Sequence, residues 1–87
     1  MPGRPADPSA ALTALLSHRR ALILRCLYQP MTPGEIAKTV ASTPSAASYH
    51  LERLQRAGLI VRERSGQYVL VHRTPRGAEL LRLFGET

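Results

Sequence analysis

Between residues 32 and 58 the chain can fold in very few ways. Thr32-Pro33-Gly34-Glu35 has the form of a capping box, in which the Thr hydroxyl accepts from the Glu35 backbone N–H and the carboxylate reaches back. Pro33 suits the first helical position, where no N–H is needed. Thr43-Pro44 repeats this start, so the first helix must stop near Ala41. The second then runs from Pro44 to Ala57, with Gly58 placed for its C-terminal cap. The first helix buries Ile36, Ala37 and Val40.

Beyond Gly58 the hydrophobic period changes. Residues 59–64 and 67–73 read as two strands, with Ser65-Gly66 as the tight turn between them. Thr74-Pro75 opens a third capped helix that continues to about Phe84. Upstream, residues 10–16 have helical spacing, Ser17-His18 interrupts it, and a helix over residues 19–28 carries Leu22, Ile23, Cys26 and Leu27 until Pro30 ends it. Three prolines and a glycine make residues 1–8 an N-terminal arm. Residues 9–87 form one domain, mainly α with a small β-hairpin: the plan of a winged helix-turn-helix.

Helical geometry sorts the faces of residues 44–57. At about 100° per residue, Ala47, Leu51 and Leu54 form one stripe, which must face the core. Ser45, Tyr49 and Arg56 lie nearly opposite. Ala46 and Arg53 flank the free face on one side and Glu52 on the other. A purely solvated face usually carries Glu and Lys; the first half of this one offers Thr43, Ser45, Ala46 and Tyr49, with Arg53 further along. Hydroxyls, a phenol and a guanidinium can read base edges and phosphates, and small side chains let the backbone come close. The helix start adds free N–H groups for a phosphate. Ser48 is compatible with a phosphate contact or with a bond to a nearby carbonyl. His50, at the edge of the core stripe, fits a satisfied half-buried residue better than a base reader.

The net charge is +6, and Lys38 is the only lysine among 12 basic residues. Arginine favours bidentate phosphate and guanine contacts, although a GC-rich genome would give the same bias. Residues 42–77 hold six arginines against two glutamates, which is most of the net charge. In the hairpin, Arg64, with Gln67 beside the tip, suits the DNA backbone or minor groove. Arg62 fits either a phosphate contact or a solvated strand edge.

Other classes find little support. Cys26 is the single cysteine, so no internal disulfide forms, and no Cys/His spacing resembles a zinc site. No apolar run is long enough to span a membrane and no signal-peptide pattern opens the chain, so a cytoplasmic protein is expected. The three histidines and six acids show no nucleophile–base pairing and no phosphate-binding Gly-rich loop, so neither an enzyme nor a cofactor is expected.

The segment Arg20-x-x-Ile23-Leu24-Arg25-x-Leu27, then Glu35-Ile36-Ala37, then Ser48-Tyr49-His50-Leu51-x-x-Leu54-x-x-Ala57-Gly58-Leu59-Ile60, resembles the ArsR-type winged helix-turn-helix regulators. Residues 73–81 also resemble the helix after the wing in MarR-type regulators. The resemblance covers about residues 15–84 and implies a homodimeric transcriptional repressor on double-stranded DNA, with an unidentified small-molecule effector. It implies a dimer contact between the terminal helices, through Leu12, Leu15, Leu80, Leu81 and Phe84, unless these residues close the domain's own core. Metal-sensing relatives carry cysteines in the helix equivalent to residues 33–41, where this chain has none, so no metal site is expected there. Cys26 falls at a core leucine position and reads as a small buried apolar residue. The alternative to DNA reading is a winged-helix module that binds protein, since a fold does not fix a function.

Overall fold

A computed structural model describes residues 16–84. Helices α1 (His18–Cys26), α2 (Pro33–Thr39) and α3 (Pro44–Arg56) are followed by strands β1 (Ile60–Ser65) and β2 (Tyr68–Arg73) and by helix α4 (Pro75–Leu83). This is the winged helix-turn-helix order. The arm over residues 1–8 and most of the helix expected at 10–16 lie outside the described residues. Leu16 is helical and Ser17 interrupts, with a φ of 84° that a serine rarely adopts. Among the described residues no helix is long and apolar enough to cross a membrane.

The three Thr-Pro starts all form. Thr32, Thr43 and Thr74 accept from the backbone N–H groups of Glu35, Ala46 and Gly77, and Glu35 completes the capping box. Helices α2 and α3 end alike. Ser42 N–H donates to the Ala37 carbonyl at 2.8 Å and Ala41 N–H to the Lys38 carbonyl at 3.2 Å; Leu59 donates to Leu54 at 3.0 Å and Gly58 to Gln55 at 2.9 Å. Both are Schellman ends, which need a left-handed residue at the turn. Gly58 supplies it at φ 77° without cost, whereas Ala41 holds φ 53° with a Cβ in place.

The core lies between α1, α2, α3 and the hairpin. Ile23, Leu24, Ile36, Leu51, Leu54, Ile60 and Val71 are fully buried in it, and Ala47, Leu51 and Leu54 form the buried stripe of α3. On α1 Ala21, Ile23 and Leu24 are buried, with Leu27 at its C-cap: Ile23 and Leu27 stand as expected, and Ala21 and Leu24 take the places expected of Leu22 and Cys26. Leu22 and Cys26 sit at its margin. The Cys26 thiol donates to the Ile23 carbonyl at 3.2 Å, and partial burial pushes its pKa up, away from reactivity. Helix α1 also stops before Tyr28, which is exposed.

The hairpin differs from expectation by one residue. Ser65 pairs with Tyr68, so the turn is Gly66-Gln67 and not Ser65-Gly66. Gly66 has φ 63° and Gln67 a negative φ, the sign pattern of a II′ turn, which asks for glycine first. Met31 adds a one-residue third strand, exchanging bonds with Val71 at 3.2 and 2.7 Å. Helix α4 seats against the start of β1 at Gly77, where a Cβ would collide with the Leu59 carbonyl oxygen.

Candidate nucleic-acid interface

Helix α3 presents one free surface because its opposite stripe is committed to the core. Thr43, Ser45, Ser48, Tyr49 and Arg53 are exposed along it and Ala46 is half-buried. The Thr43 oxygen caps the helix by accepting from Ala46 N–H at 3.1 Å; its O–H proton stays available as a donor. The cap and Pro44 between them leave Ser45 with the remaining first-turn N–H. The phosphate-binding capacity of this helix end is therefore narrower than the sequence suggests.

Tyr49 is the centre of a cluster. The Arg53 guanidinium stands 5.2 Å from its ring centroid and that of Arg20, from α1, 5.6 Å. A hydrogen bond from Arg53, together with the charge of Arg53, lowers the phenol pKa below its ordinary value, and Arg20 adds to the effect. His50 meets the ring edge-on at 5.7 Å. Its Nδ1 accepts from Arg20 Nε at 3.2 Å. Desolvation, then the charges of Arg20 and Arg19, depress the imidazole pKa and keep the ring neutral. His50 is thus the satisfied half-buried residue expected.

The wing places its residues less tightly. Strand alternation sets Ile60, Arg62 and Arg64 on one face of the ribbon. Ile60 anchors that face in the core. Arg62 is half-buried and shares a shallow depression with Glu52, Gln55 and Arg56 of α3. Its Nε is covered, without a hydrogen-bond partner among the described residues. Arg64, further out on the same face, is exposed, as is Gln67 in the turn. Arg62 therefore belongs to the joint between wing and α3, and Arg64 with Gln67 to the tip. Glu63 and His72, on the other face, approach to 3.0 Å.

Two arginines counted toward the interface are used elsewhere. Arg73 Nη1 donates to the Leu24 carbonyl at 3.1 Å and Arg76 Nη1 to that of Ala57 at 3.5 Å; both brace the fold. Arg19 and Arg20 were missed as contributors from α1. A signal was present: the first turn of α1 reads His18-Arg19-Arg20 with no acid, against the helix dipole, so those charges need partners elsewhere.

The terminal-helix expectation divides. Leu12 and Leu15 lie outside the described residues. Leu81 is 2% exposed and sits in its own chain's core, the alternative to a dimer contact that the sequence leaves open. Leu80 and Phe84 are half-buried against that core. Leu83, not anticipated, is 71% exposed and joins Leu59, Leu80, Arg76 and Glu79 around an apolar depression. Among the described residues no group of three or more His, Cys, Asp or Glu could hold a metal.

Residues 15–63 match the model of the helix-turn-helix domain family. The chain is 35% identical over 68 residues to the HTH-type transcriptional regulator YgaV of Escherichia coli K12, covering 75% of this chain and 69% of YgaV. Among solved structures it is similar to MepR, a transcription regulator of the Staphylococcus aureus multidrug efflux pump MepA, with a TM-score of 0.80 and 25% identity over 90% of this chain and 62% of that one. MepR in its complex with DNA gives a TM-score of 0.79 at 23% identity, over 90% of this chain and 70% of that chain. A MarR family transcriptional regulator from Silicibacter pomeroyi shares the fold, with a TM-score of 0.79 and 23% identity over 90% of this chain and 56% of that one. The chain thus spans only part of the length of these solved regulators. The match over residues 15–63 and the likeness to YgaV agree with the capped helix pair seen here: the chain belongs to the helix-turn-helix domain family.

Proposed function

We propose that this protein is a sequence-specific DNA-binding transcriptional regulator in which α3 reads the major groove and the wing grips the flanking backbone. The observation that carries this reading is the free face of α3. Thr43, Ser45, Ser48, Tyr49 and Arg53 are exposed on a helix whose other stripe is buried, with arginines on both sides. Likeness to YgaV, a transcriptional regulator, and the fold shared with a DNA-bound MepR support it. The ArsR-type motif and the MarR-like wing helix fit the same role. Genomic DNA as the target implies work in the cytoplasm.

The protein acts as a homodimeric repressor in this proposal. The α4 surface around Leu80 and Leu83 supplies the contact. Two-fold symmetry then sets two α3 helices about one DNA turn apart. The test is affinity for genomic DNA fragments at fixed moderate salt. Arg53→Ala and Arg64→Ala are expected to weaken binding while leaving the melting temperature unchanged. Unchanged affinity in both variants would count against the proposal.

A further inference from the structure

The first turn of α1 puts three basic residues at the positive end of a helix dipole, and two of them reach across to the helix-turn-helix. Arg19 Nη1 donates to the carbonyl of Val40, the C-cap of α2 and the residue before left-handed Ala41. Arg20 Nε donates to His50 Nδ1 at 3.2 Å and its guanidinium stands 5.6 Å from the Tyr49 ring. Neighbouring side chains of one helix thus hold the end of α2 and the middle of α3. The Tyr49 ring is held by cations from two helices and by the His50 edge, although Tyr49 itself is half exposed.

We infer that Arg19 and Arg20 are positioning residues for sequence discrimination, fixing the turn between α2 and α3 and presenting Tyr49 in one orientation to the DNA. The inference rests on α3 being the reading helix and names what sets its specificity. A side chain already ordered in the free protein loses less freedom on binding. Correct geometry is then rewarded and mismatched sequence is not, whereas a loose phenol adapts to many sequences. Arg20 engaged in this way adds to specificity more than to overall charge attraction.

The test uses the full chain, with a site selected from random DNA and a scrambled duplex of the same length. Affinity for each is followed against salt, and the His50 ring by nitrogen NMR without DNA. Wild-type protein is expected to show Nδ1 as an unprotonated acceptor with the proton on Nε2. Arg20→Lys keeps the charge and loses the Nε–H. It should retain affinity for the scrambled duplex and the salt slope, lose about three- to tenfold in the ratio of the two affinities, and shift the imidazole toward a mixture of tautomers. Tyr49→Leu leaves the Arg20–His50 bond in place; it should lose the same ratio with the imidazole tautomer unchanged. The inference is overturned by an Arg20→Lys protein that keeps the ratio, that weakens both duplexes equally, or that leaves the imidazole spectrum unchanged. Wild-type protein without any sequence preference would instead remove the reading-helix proposal, and this inference with it.

Discussion

Helix α3 and the wing both put arginine beside the same surface, yet the fold holds them in different ways. Helix α3 is capped at Thr43, closed by a Schellman turn at Gly58 and packed by Ala47, Leu51 and Leu54. Its free face is further fastened by Arg20 and Arg53 around Tyr49. The wing enters the core only at its base, through Ile60 and Val71; from Glu63 to Tyr68 every residue is exposed. The difference fits the proposed roles. Reading base edges needs side chains at fixed positions, while gripping a uniform phosphate backbone tolerates mobility.

This contrast can be broken most severely at Leu51. It is fully buried beneath the reading face, and Leu51→Ala should cost about 2–5 kcal/mol, seen as a large fall in melting temperature. An effect as small as that of a surface substitution would show that the core does not hold α3. Gly77→Ala comes next. Its new methyl meets the Leu59 carbonyl, a backbone atom that cannot swing aside, so a loss of roughly 1–3 kcal/mol is expected in chemical denaturation. Ala41→Gly acts in the other direction. Relieving the left-handed alanine at the end of α2 should stabilise the protein by about 0.5–1 kcal/mol, and a destabilised variant would mean that the turn is held differently.

The smallest effect separates the two regions by pH. The His50 pKa is lowered in the folded protein, so the unfolded chain takes up the proton first as pH falls. The contribution of neutral His50 is therefore complete above the unfolded value of about 6.5 and is lost below it. A melting series from pH 8 to pH 5.5 should show part of the decline disappear in His50→Asn, which keeps an acceptor but does not titrate. No comparable pH dependence is expected from Arg64→Ala at the wing tip.

Much of this was legible in the chain because it was written in local chemistry. Three Thr-Pro starts, Gly58 and the Ala47, Leu51, Leu54 spacing act within a few residues, and each formed where expected. The hairpin turn slipped by one because Ser65-Gly66 and Gly66-Gln67 both satisfy a turn containing glycine; the pairing of Ser65 with Tyr68 decided it. The interface was only half legible. Residues on α3 could be placed by periodicity. The turn of Arg73 toward Leu24 and of Arg76 toward Ala57 depends on carbonyls distant in sequence. So does the reach of Arg19 and Arg20 to α2 and α3, and counting charge along the chain could not reveal either. The place of Leu81 was open for a related reason, since a leucine on a terminal helix serves a core or a partner with the same spacing.

The central claim, that α3 reads sequence while the wing grips backbone, is tested most directly by selecting bound sites from random DNA with wild-type, Arg53→Ala and Arg64→Ala protein side by side. The account expects a defined site for wild type. It expects the same site from Arg64→Ala, bound more weakly and with a salt slope smaller by about one, and a relaxed site from Arg53→Ala. Recovery of no preferred sequence by wild-type protein, or of the wild-type site with undiminished preference by Arg53→Ala, would contradict it.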